Sequence, residues 1–315
     1  MSQNRKASFL SYMATPFMSL MGTVVASLVS IYILKLKGEN SPVPVFVFFG
    51  IVNLICMVLF ALLPEKRKRI PRYVAMFTVG GILLVLAGIL GKQNFQIEGF
   101  FFFALAGAFG GVMIHFFVGK IAGPLLHGRN WCGWGCWTVM ILDLLPYKKG
   151  NGWVKGGSKF KYIYFVTALI GVFILMYGFN YKMSETGNSV HAIRAFYWFV
   201  IGNIFYYTAG IVLAVIMKDN RAFCKYVCPV SVFLKAGAVF TLLRIKGDAS
   251  KCTNCGTCTN ACLMSIDIPE YIREGKRVTC TECVMCMKCI AVCPEAALKA
   301  SVGLDIVLKD KVKYN

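Results

Sequence analysis

Eight cysteines near the end of the chain form two runs with the same spacing, C-x2-C-x2-C-x3-C. The first run contains Cys252, Cys255, Cys258 and Cys262, and the second contains Cys283, Cys286, Cys289 and Cys293. Three thiolates on one tight loop can hold three corners of an iron–sulfur cubane, and the fourth corner needs a residue beyond that loop. With Pro294 directly after the second run, the pattern predicts two [4Fe–4S] clusters.

The two runs are expected to exchange their fourth ligand, as they do in two-cluster ferredoxins. Cluster 1 is then bound by Cys252, Cys255, Cys258 and Cys293, and cluster 2 by Cys262, Cys283, Cys286 and Cys289. Structural zinc also binds C-x2-C pairs, but a zinc site needs four ligands and matches the doubled spacing poorly. Cys280 lies in register ahead of the second run, and we interpret it as a spare thiol because Pro294 fixes the frame.

The composition is typical of a membrane protein. Of the 315 residues, 57% are hydrophobic and 15% are charged, whereas soluble domains average about 25% charged residues. The formal net charge is +20. Because the basic residues lie between long apolar runs, we attribute this charge to membrane topology and expect no nucleic-acid partner. Nine of the 14 cysteines fall in the cluster region, where ligands must be thiolates, so we expect a reducing compartment and no disulfide framework.

Six apolar segments are long enough to cross a bilayer as helices, which takes about 20 residues each. They cover residues 13–34, 43–63, 73–90, 99–118, 162–178 and 196–217, and none contains Asp, Glu, Lys or Arg. Arg5 and Lys6 resemble the charged start of a signal peptide. The apolar run that follows is too long for one and lacks an A-x-A site, so we expect an uncleaved first helix.

Basic residues are concentrated in the loops that follow the second and fourth segments. These residues are Lys66, Arg67, Lys68, Arg69 and Arg72, and then Lys120, Arg129, Lys148, Lys149, Lys155, Lys159 and Lys161. Each of the other three loops carries one or two. The positive-inside rule then predicts that both termini and the cluster region are cytoplasmic, at the inner membrane of a bacterium or archaeon. The lipid bilayer is therefore the first expected partner.

The predicted fold is an all-α polytopic membrane protein with about six transmembrane helices and a C-terminal α+β domain like a two-cluster bacterial ferredoxin. We divide the chain into residues 1–98, with three spans; residues 99–245, the core membrane domain; and residues 246–315, the ferredoxin-like domain. The last of these is too small to build much of a core, so the clusters should supply much of its folding energy.

Four more cysteines form two C-x3-C pairs, each after an apolar segment. Cys132 and Cys136 form the first pair, Cys224 and Cys228 form the second, and equivalent positions are 92 residues apart. This spacing indicates an internal repeat, and repeats in membrane proteins commonly meet with a site between them. We hypothesise that each pair lies on one face of a helical turn and that the four thiols hold a further iron–sulfur or redox centre. Free buried cysteines and reversible dithiol pairs are the alternatives.

In these features the chain resembles the NapH family, membrane quinol-dehydrogenase subunits that pass electrons towards periplasmic nitrate reductase. It is also similar to the membrane part of NosR and to other polyferredoxin-like membrane iron–sulfur proteins. The resemblance covers roughly residues 99–300, although Trp137 stands where the family has proline after the first pair, whereas Pro229 follows the second. It implies a quinone or quinol partner and a redox protein partner, such as a ferredoxin-like or reductase subunit.

A quinol-oxidising subunit needs an apolar slot with one or two polar groups. His115, near the cytoplasmic end of the fourth segment, and Asp143, after the first cysteine pair, are the candidates, because ionisable groups in membrane segments are commonly functional. A neutral histidine bonded to a neighbouring helix and an interfacial aspartate are the alternatives. We interpret Tyr206 and Tyr207, in the sixth segment, as packing residues.

The sequence therefore predicts electron transfer between the quinone pool and iron–sulfur or other redox partners, and the resemblance implies a quinol dehydrogenase subunit. Two other functions fit the same features. One is a factor that supplies electrons for the maturation or regulation of a metalloenzyme, and the other is a sensor whose C-x3-C pairs cycle as dithiols.

Overall fold

A computed structural model of the chain describes residues 11–35, 43–147, 150–183, 190–305 and 310–314. The helices of the first 240 residues are α1 (Ala14–Lys35), α2 (Val43–Leu62), α3 (Glu65–Leu90), α4 (Ile97–Leu105), α5 (Gly111–His127), α6 (Asn130–Trp134), α7 (Trp137–Leu142), α8 (Lys159–Gly178), α9 (Val190–Met217), α10 (Ala222–Tyr226) and α11 (Val230–Ala238). Arg5, Lys6, Lys148 and Lys149, named above, lie outside the described residues.

Within the described residues, three helices are long and apolar enough to cross a membrane: α3, α8 and α9. Shorter apolar stretches occur in three more helices, at Ala14–Val25, Val47–Leu62 and Gly111–His127. Large apolar side chains such as Phe179 and Ile216 are exposed on the outside of the bundle, as expected for a surface that faces lipid. The chain is thus a mostly helical membrane protein with three candidate spans, and six crossings are taken up as a proposal below.

The fourth predicted span, residues 99–118, is not one helix, so that prediction was wrong. Helix α4 ends at Leu105, the chain turns through residues 106–110, where Gly107 has a φ of +64°, and α5 begins at Gly111. A nine-residue helix is about 14 Å long and cannot cross a hydrocarbon core of about 30 Å. Hydropathy registers the apolar run but not the glycines that break it.

Residues 92–110 instead form an excursion into the bundle, which we call the re-entrant segment. The start of α4 lies beside Tyr164 of α8, because the Tyr164 hydroxyl donates to Glu98 over 3.0 Å. Farther along α4, the Phe102 ring lies 5.8 Å from the ring of Tyr181, beyond the other end of α8. Gly111, at the start of α5, lies beside the side chain of Gln93, so the segment ends next to the place where it begins. The apolar helix that overlaps the predicted fourth span is therefore α5, which begins 12 residues later than predicted.

The predicted repeat of 92 residues is visible in the backbone. Helices α6 and α10 are each five residues long, lie 92 positions apart, and are each followed by a break and a second short helix, α7 or α11. In each unit the first cysteine lies inside the short helix and the second lies just after it. The expectation that each pair shares one face of a helical turn was wrong, because Gly135 and Val227 end the helices between the two cysteines.

The C-terminal part combines two strands with three short helices around the cysteine runs. Strand β1 (Leu243–Gly247) pairs antiparallel with β2 (Leu298–Val302), and helices α12 (Thr257–Asn260), α13 (Ile268–Arg273) and α14 (Lys288–Ala291) lie between them. The backbone N–H of Ala300 in β2 donates to the Ser11 carbonyl, so the start of the described chain covers this strand. The proposed boundary at residue 245 falls inside β1, and that at residue 98 falls inside α4.

The ferredoxin-like part packs directly against the first C-x3-C unit. A β-carbon added to Gly133, between the first two cysteines, would lie 2.3 Å from the carbonyl oxygen of Val284. Next to it, Trp134 Nε1 donates to the Met285 carbonyl over 3.0 Å. The loop that follows Cys283 therefore rests directly on helix α6, and only glycine permits this distance.

The substitution Gly133→Ala should weaken this contact. The added methyl group meets a backbone oxygen that cannot rotate away, and overpacking of this kind costs about 1–3 kcal/mol. We expect faster proteolytic cleavage between the two parts and a lower temperature of cluster loss. Gly171→Ala is the matched control, because nothing lies within 4 Å of its added β-carbon. Equal behaviour of the two variants would show that the contact at Gly133 is not tight.

Candidate metal centres

Two cavities in the ferredoxin-like part are each lined by four cysteines. One is lined by Cys252, Cys255, Cys258 and Cys293, and the other by Cys262, Cys283, Cys286 and Cys289. This grouping is the one that the crossed assignment requires. Cys280 is not among the residues that line either cavity, and burial raises the pKa of its thiol well above the usual value.

The loops around the two cavities share an unusual backbone. Asn254 and Gly256 in the first run, and Met285 and Met287 in the second, have φ values between +48° and +70°. Each of these residues lies two or four positions after the first cysteine of its run. Left-handed residues inside such a loop turn successive N–H groups into one concavity, which suits an anionic group. With free thiols on every cysteine, both cavities fit a thiolate-bound cubane.

The four cysteines of the C-x3-C pairs also come together. Cys224 is within electrostatic range of Cys132, Cys136 and Cys228. Burial, followed by the neighbouring Cys132 and Cys136, raises the pKa of the Cys228 thiol to about 12, and burial also raises the pKa values of Cys136 and Cys224. Reactive dithiols commonly have lowered pKa values instead. We call these four residues the four-cysteine set.

Three buried cations surround the four-cysteine set. Arg129 and Arg221 lie 92 positions apart in the two repeat units, and both are fully buried. Arg129 pairs with Glu282, and Arg221 pairs with Asp143 over 2.9 Å. Lys120 is 3% exposed, sits over the Trp131 ring at 3.4 Å and interacts with Cys136, Cys132 and Cys228. Among the described residues it forms no ion pair with a carboxylate, so the thiols are the groups nearest to it that can become negative.

Glu282, which precedes Cys283, connects the ferredoxin-like part to three separate elements of the helical part. Its carboxylate pairs with Arg129 before α6, with Lys161 of α8 over 2.8 Å and with Lys235 of α11 over 3.1 Å. Burial alone would raise the pKa of this carboxyl, but the three cations lower it to about 2. Glu282 is therefore charged and fully compensated inside the interface.

Asp143, a sequence candidate for the quinone site, lies in a second buried network. Its Oδ2 accepts from Arg72 of α3 over 2.6 Å and from Arg221 over 2.9 Å. The same two arginines donate to the carbonyls of Gly133 and Cys132. Asp143 thus connects α3 with both repeat units, and this geometry favours a structural role over proton exchange with a quinol.

His115, the other candidate, lines a cavity of about 410 Å³ between α1, α2, α3 and α5. The cavity is mainly apolar, and Trp131, Trp134 and Gly135, which flank the first cysteine pair, also line it. The sequence had indicated that His115 lies near the end of a span, but the structure places it near the start of α5. Its ring packs 5.0 Å from the Trp131 ring and 5.2 Å from the Phe95 ring.

Three polar atoms at this cavity have no hydrogen-bond partner in the described part of the chain. They are Nε2 of His115, Nε2 of His127 and Oδ1 of Asn130, and all three are buried. Unpaired buried polar groups cost about 1–3 kcal/mol each. A bound molecule with oxygen atoms at its ends and an apolar ring between them would satisfy both the lining and these atoms.

Single metal ions fit this chain less well than clusters do. No three His, Cys, Asp or Glu side chains within the described ranges are close enough to hold one ion. That holds for the ferredoxin cysteines as well as for the four-cysteine set. Thiols that serve the corners of a cubane lie farther apart than ligands of a single ion, so this spacing is expected for clusters.

Comparison with known proteins points to one group. A family model for a 4Fe-4S dicluster domain matches residues 244–294. The ferredoxin-type protein NapH of Haemophilus influenzae is 24% identical over 190 residues, which are 58% of this chain and 65% of that protein. The putative electron transport protein YccM of Escherichia coli is 30% identical over 78 residues, 25% of this chain and 21% of YccM. The predicted resemblance to NapH-type, polyferredoxin-like iron–sulfur proteins is confirmed.

An uncharacterized protein of Methanocaldococcus jannaschii is 29% identical over 181 residues, 55% of this chain and 65% of that protein. No solved structure matches the chain. The chain thus carries a 4Fe-4S dicluster domain and is similar to NapH-type iron–sulfur proteins. Because the match spans just under two thirds of the M. jannaschii protein and of NapH, the activity, substrates and partners of this chain are proposals.

The sequence did not predict the roles of several residues at these sites. The sequence gives no indication that His127 lines the same cavity as His115. The sequence places Lys120 in a basic loop, whereas the side chain is buried beside the four-cysteine set. Glu98 lies just outside the fourth predicted span. The polar residues Asn94, Gln96 and Glu98 beside a glycine-rich turn were the available signal that this segment is not a simple span.

The substitution Glu282→Gln should loosen the ferredoxin-like part. It removes the shared anion and leaves three cations in the interface, and removing one member of a buried ion pair costs about 3–5 kcal/mol. We expect the temperature of cluster loss to fall. The visible absorption of the clusters measures this temperature. Glu274→Gln is the control, since Glu274 pairs with Lys311 and Lys276 on the surface and should change this temperature little. A Glu282 variant as stable as this control would contradict a docking role.

Proposed function

We propose that this protein transfers electrons between a quinone in the membrane and a redox protein in the cytoplasm. The observation that carries the proposal is a continuous series of contacts. The apolar cavity shares Trp131, Trp134 and Gly135 with the first C-x3-C unit. That unit touches the cluster 2 loop where Gly133 meets Val284. Cluster 2 adjoins cluster 1, and the chain of sites ends at the exposed Cys255.

The two clusters have the crossed ligand sets. Cluster 1 takes Cys252, Cys255, Cys258 and Cys293, and cluster 2 takes Cys262, Cys283, Cys286 and Cys289. The cavity linings support this division. Cys289 of the cluster 2 set interacts with Cys258 of the cluster 1 set, so the two sites are close neighbours. Bound clusters supply one-electron chemistry, and the protein places them and excludes water.

The four-cysteine set holds a third iron–sulfur centre between the cavity and cluster 2. Four thiolates would offset the buried charge of Lys120, which no carboxylate offsets in the described structure. A buried charge without compensation is costly, so an anion at this place is expected. Arg221 interacts with Cys224 and Cys132 of this set and with Cys286 of cluster 2, which supports a short separation between them.

The quinone site is the cavity beside His115. Oxidation of a quinol to a quinone releases two electrons and two protons, so the site must accept both. Nε2 of His115 and Nε2 of His127 are buried atoms that can accept a proton when the proton of each ring is on Nδ1. Trp131 and Trp134, which flank Cys132, line the cavity and therefore place its wall beside the four-cysteine set. The direction of electron flow depends on the potentials of the two partners.

The membrane part has six crossings, made by α1, α2, α3, α5, α8 and α9. Both basic loops support a cytoplasmic location of the ferredoxin-like domain. Lys66 and Arg69, at the start of α3, line the same cleft as Cys286. Arg129 and Lys161, from the other basic loop, contact Glu282. Both loops therefore lie at the end of the bundle that holds the clusters, which the positive-inside rule assigns to the cytoplasm.

Iron content tests the third centre. Anaerobically purified protein should contain about twelve iron atoms, for three cubanes, and a variant with Cys132, Cys136, Cys224 and Cys228 changed to Ser should contain about eight. The variant should also lack one EPR signal in a redox titration. Cys280→Ser and Cys56→Ser are controls that should leave the iron content unchanged. About eight atoms in both the wild type and the fourfold variant would exclude the centre.

The histidines test the quinone site. His115→Gln and His127→Gln should slow reduction of the clusters by menaquinol about 100-fold, because each removes a proton acceptor. Reduction by dithionite should be unchanged, since dithionite needs no cavity. His191→Gln is the matched control, because His191 bonds the Lys182 carbonyl outside the cavity. Menaquinol rates equal to that of the control would place the quinone elsewhere, and no reduction by any quinol in the wild type would favour a maturation factor.

A further inference from the structure

The re-entrant segment places a partly buried carboxyl group among apolar helices. Glu98 is the second residue of α4. The hydroxyl of Tyr164 donates to its Oε1 over 3.0 Å. Within the described ranges, no Lys or Arg forms an ion pair with it. A carboxyl group in a membrane segment without a cation is costly, and such residues commonly have functional roles.

Two tyrosines connect Glu98 to the four-cysteine set. The Tyr164 ring lies 6.2 Å from the Tyr206 ring, at an angle of 80°. Tyr206 is 4% exposed, and its hydroxyl has no hydrogen-bond partner in the described structure. A water molecule or a small rotation would complete the bridge. Tyr206 packs with Leu142 and Phe223, and Cys228 packs against this group.

The surroundings of Glu98 balance its two protonation states. The first turn of a helix and the hydroxyl of Tyr164 stabilise the carboxylate. The apolar interior stabilises the neutral acid. The titratable groups that face it from the packed helices are Tyr164 of α8 and Tyr206 of α9, both uncharged. His115 of α5 instead makes edge-to-face contacts with Phe95 and Phe116. Lys235 of α11, which packs against α4 through Phe233, pairs with Glu282 and Asp310. A negative charge added nearby, in a medium of low dielectric constant, therefore favours the protonated form.

We propose that Glu98 takes up one proton when the four-cysteine set is reduced by one electron. The proton comes from the aqueous phase, an O–H bond forms on the carboxylate, and the bond breaks again when the set is oxidised. Tyr164 holds the carboxyl group in position, and Tyr206 links it to the cysteines. This proposal rests on the third redox centre proposed above. It makes the protein a site of proton uptake inside the membrane, separate from the quinone cavity.

Infrared difference spectroscopy of the full-length protein tests this uptake without any quinone. Dithionite-reduced minus oxidised spectra should show a new C=O stretch of a protonated carboxylic acid. Glu98→Gln should abolish this band completely, and Tyr164→Phe should shift it by removing the hydrogen bond to Oε1. Glu295→Gln, at the exposed edge of cluster 1, is the control and should keep the band. Visible absorption and iron content establish that each variant is folded and loaded.

The outcomes separate this proposal from the proposed function. EPR in the same samples reports whether the third centre exists. A reduced third centre with no carboxylic acid band in the wild type would overturn the role of Glu98 alone, as would a band that persists in Glu98→Gln. Absence of the third centre from EPR and iron analysis would overturn the centre and, with it, the coupled uptake. A band that is lost only in Glu98→Gln and shifted in Tyr164→Phe would support the uptake.

Discussion

The ion pairs of Glu282 are the interaction on which the rest of the structure depends. One carboxylate, next to Cys283, is surrounded by cations from three elements that are far apart in the chain. Each of these charges would be costly in the interface by itself, because desolvation of an ion takes several kcal/mol. Together they compensate one another only in one relative position of the two parts. The network therefore selects a single docking geometry for the ferredoxin-like part.

Asp143 plays the corresponding role one layer deeper. Its two arginines donate to the carbonyls of Cys132 and Gly133 and thereby hold the backbone of the first C-x3-C unit. Because Arg221 belongs to the second unit, the same network sets the distance between the two cysteine pairs. Gly133 lies between the two networks, where the absence of a side chain lets the cluster 2 loop approach. Charge compensation and one close backbone contact thus bring three groups of thiols together.

The membrane part also departs from simple crossing helices where chemistry is proposed. The re-entrant segment and the two C-x3-C units are short helices joined by breaks, and broken backbone at this depth is tolerated where protein covers it. These breaks place polar groups inside the bundle: Glu98 in the first case, and the four thiols beside Lys120 of α5 in the second. Electron and proton sites can therefore lie near each other without a wide aqueous opening.

The cysteine spacing, the apolar composition and the 92-residue repeat were evident in the sequence alone, because cluster ligands, lipid contact and repetition each impose a local pattern. The resemblance to NapH-type proteins followed from these patterns. The break at residues 106–110 was missed because hydropathy averages over glycines. The repeat already suggested that the four C-x3-C thiols come together, whereas the role of Asp143 and the cavity shared by His115 and His127 could not be predicted. They depend on contacts between residues tens to more than a hundred positions apart, and only tertiary packing decides which buried charges meet.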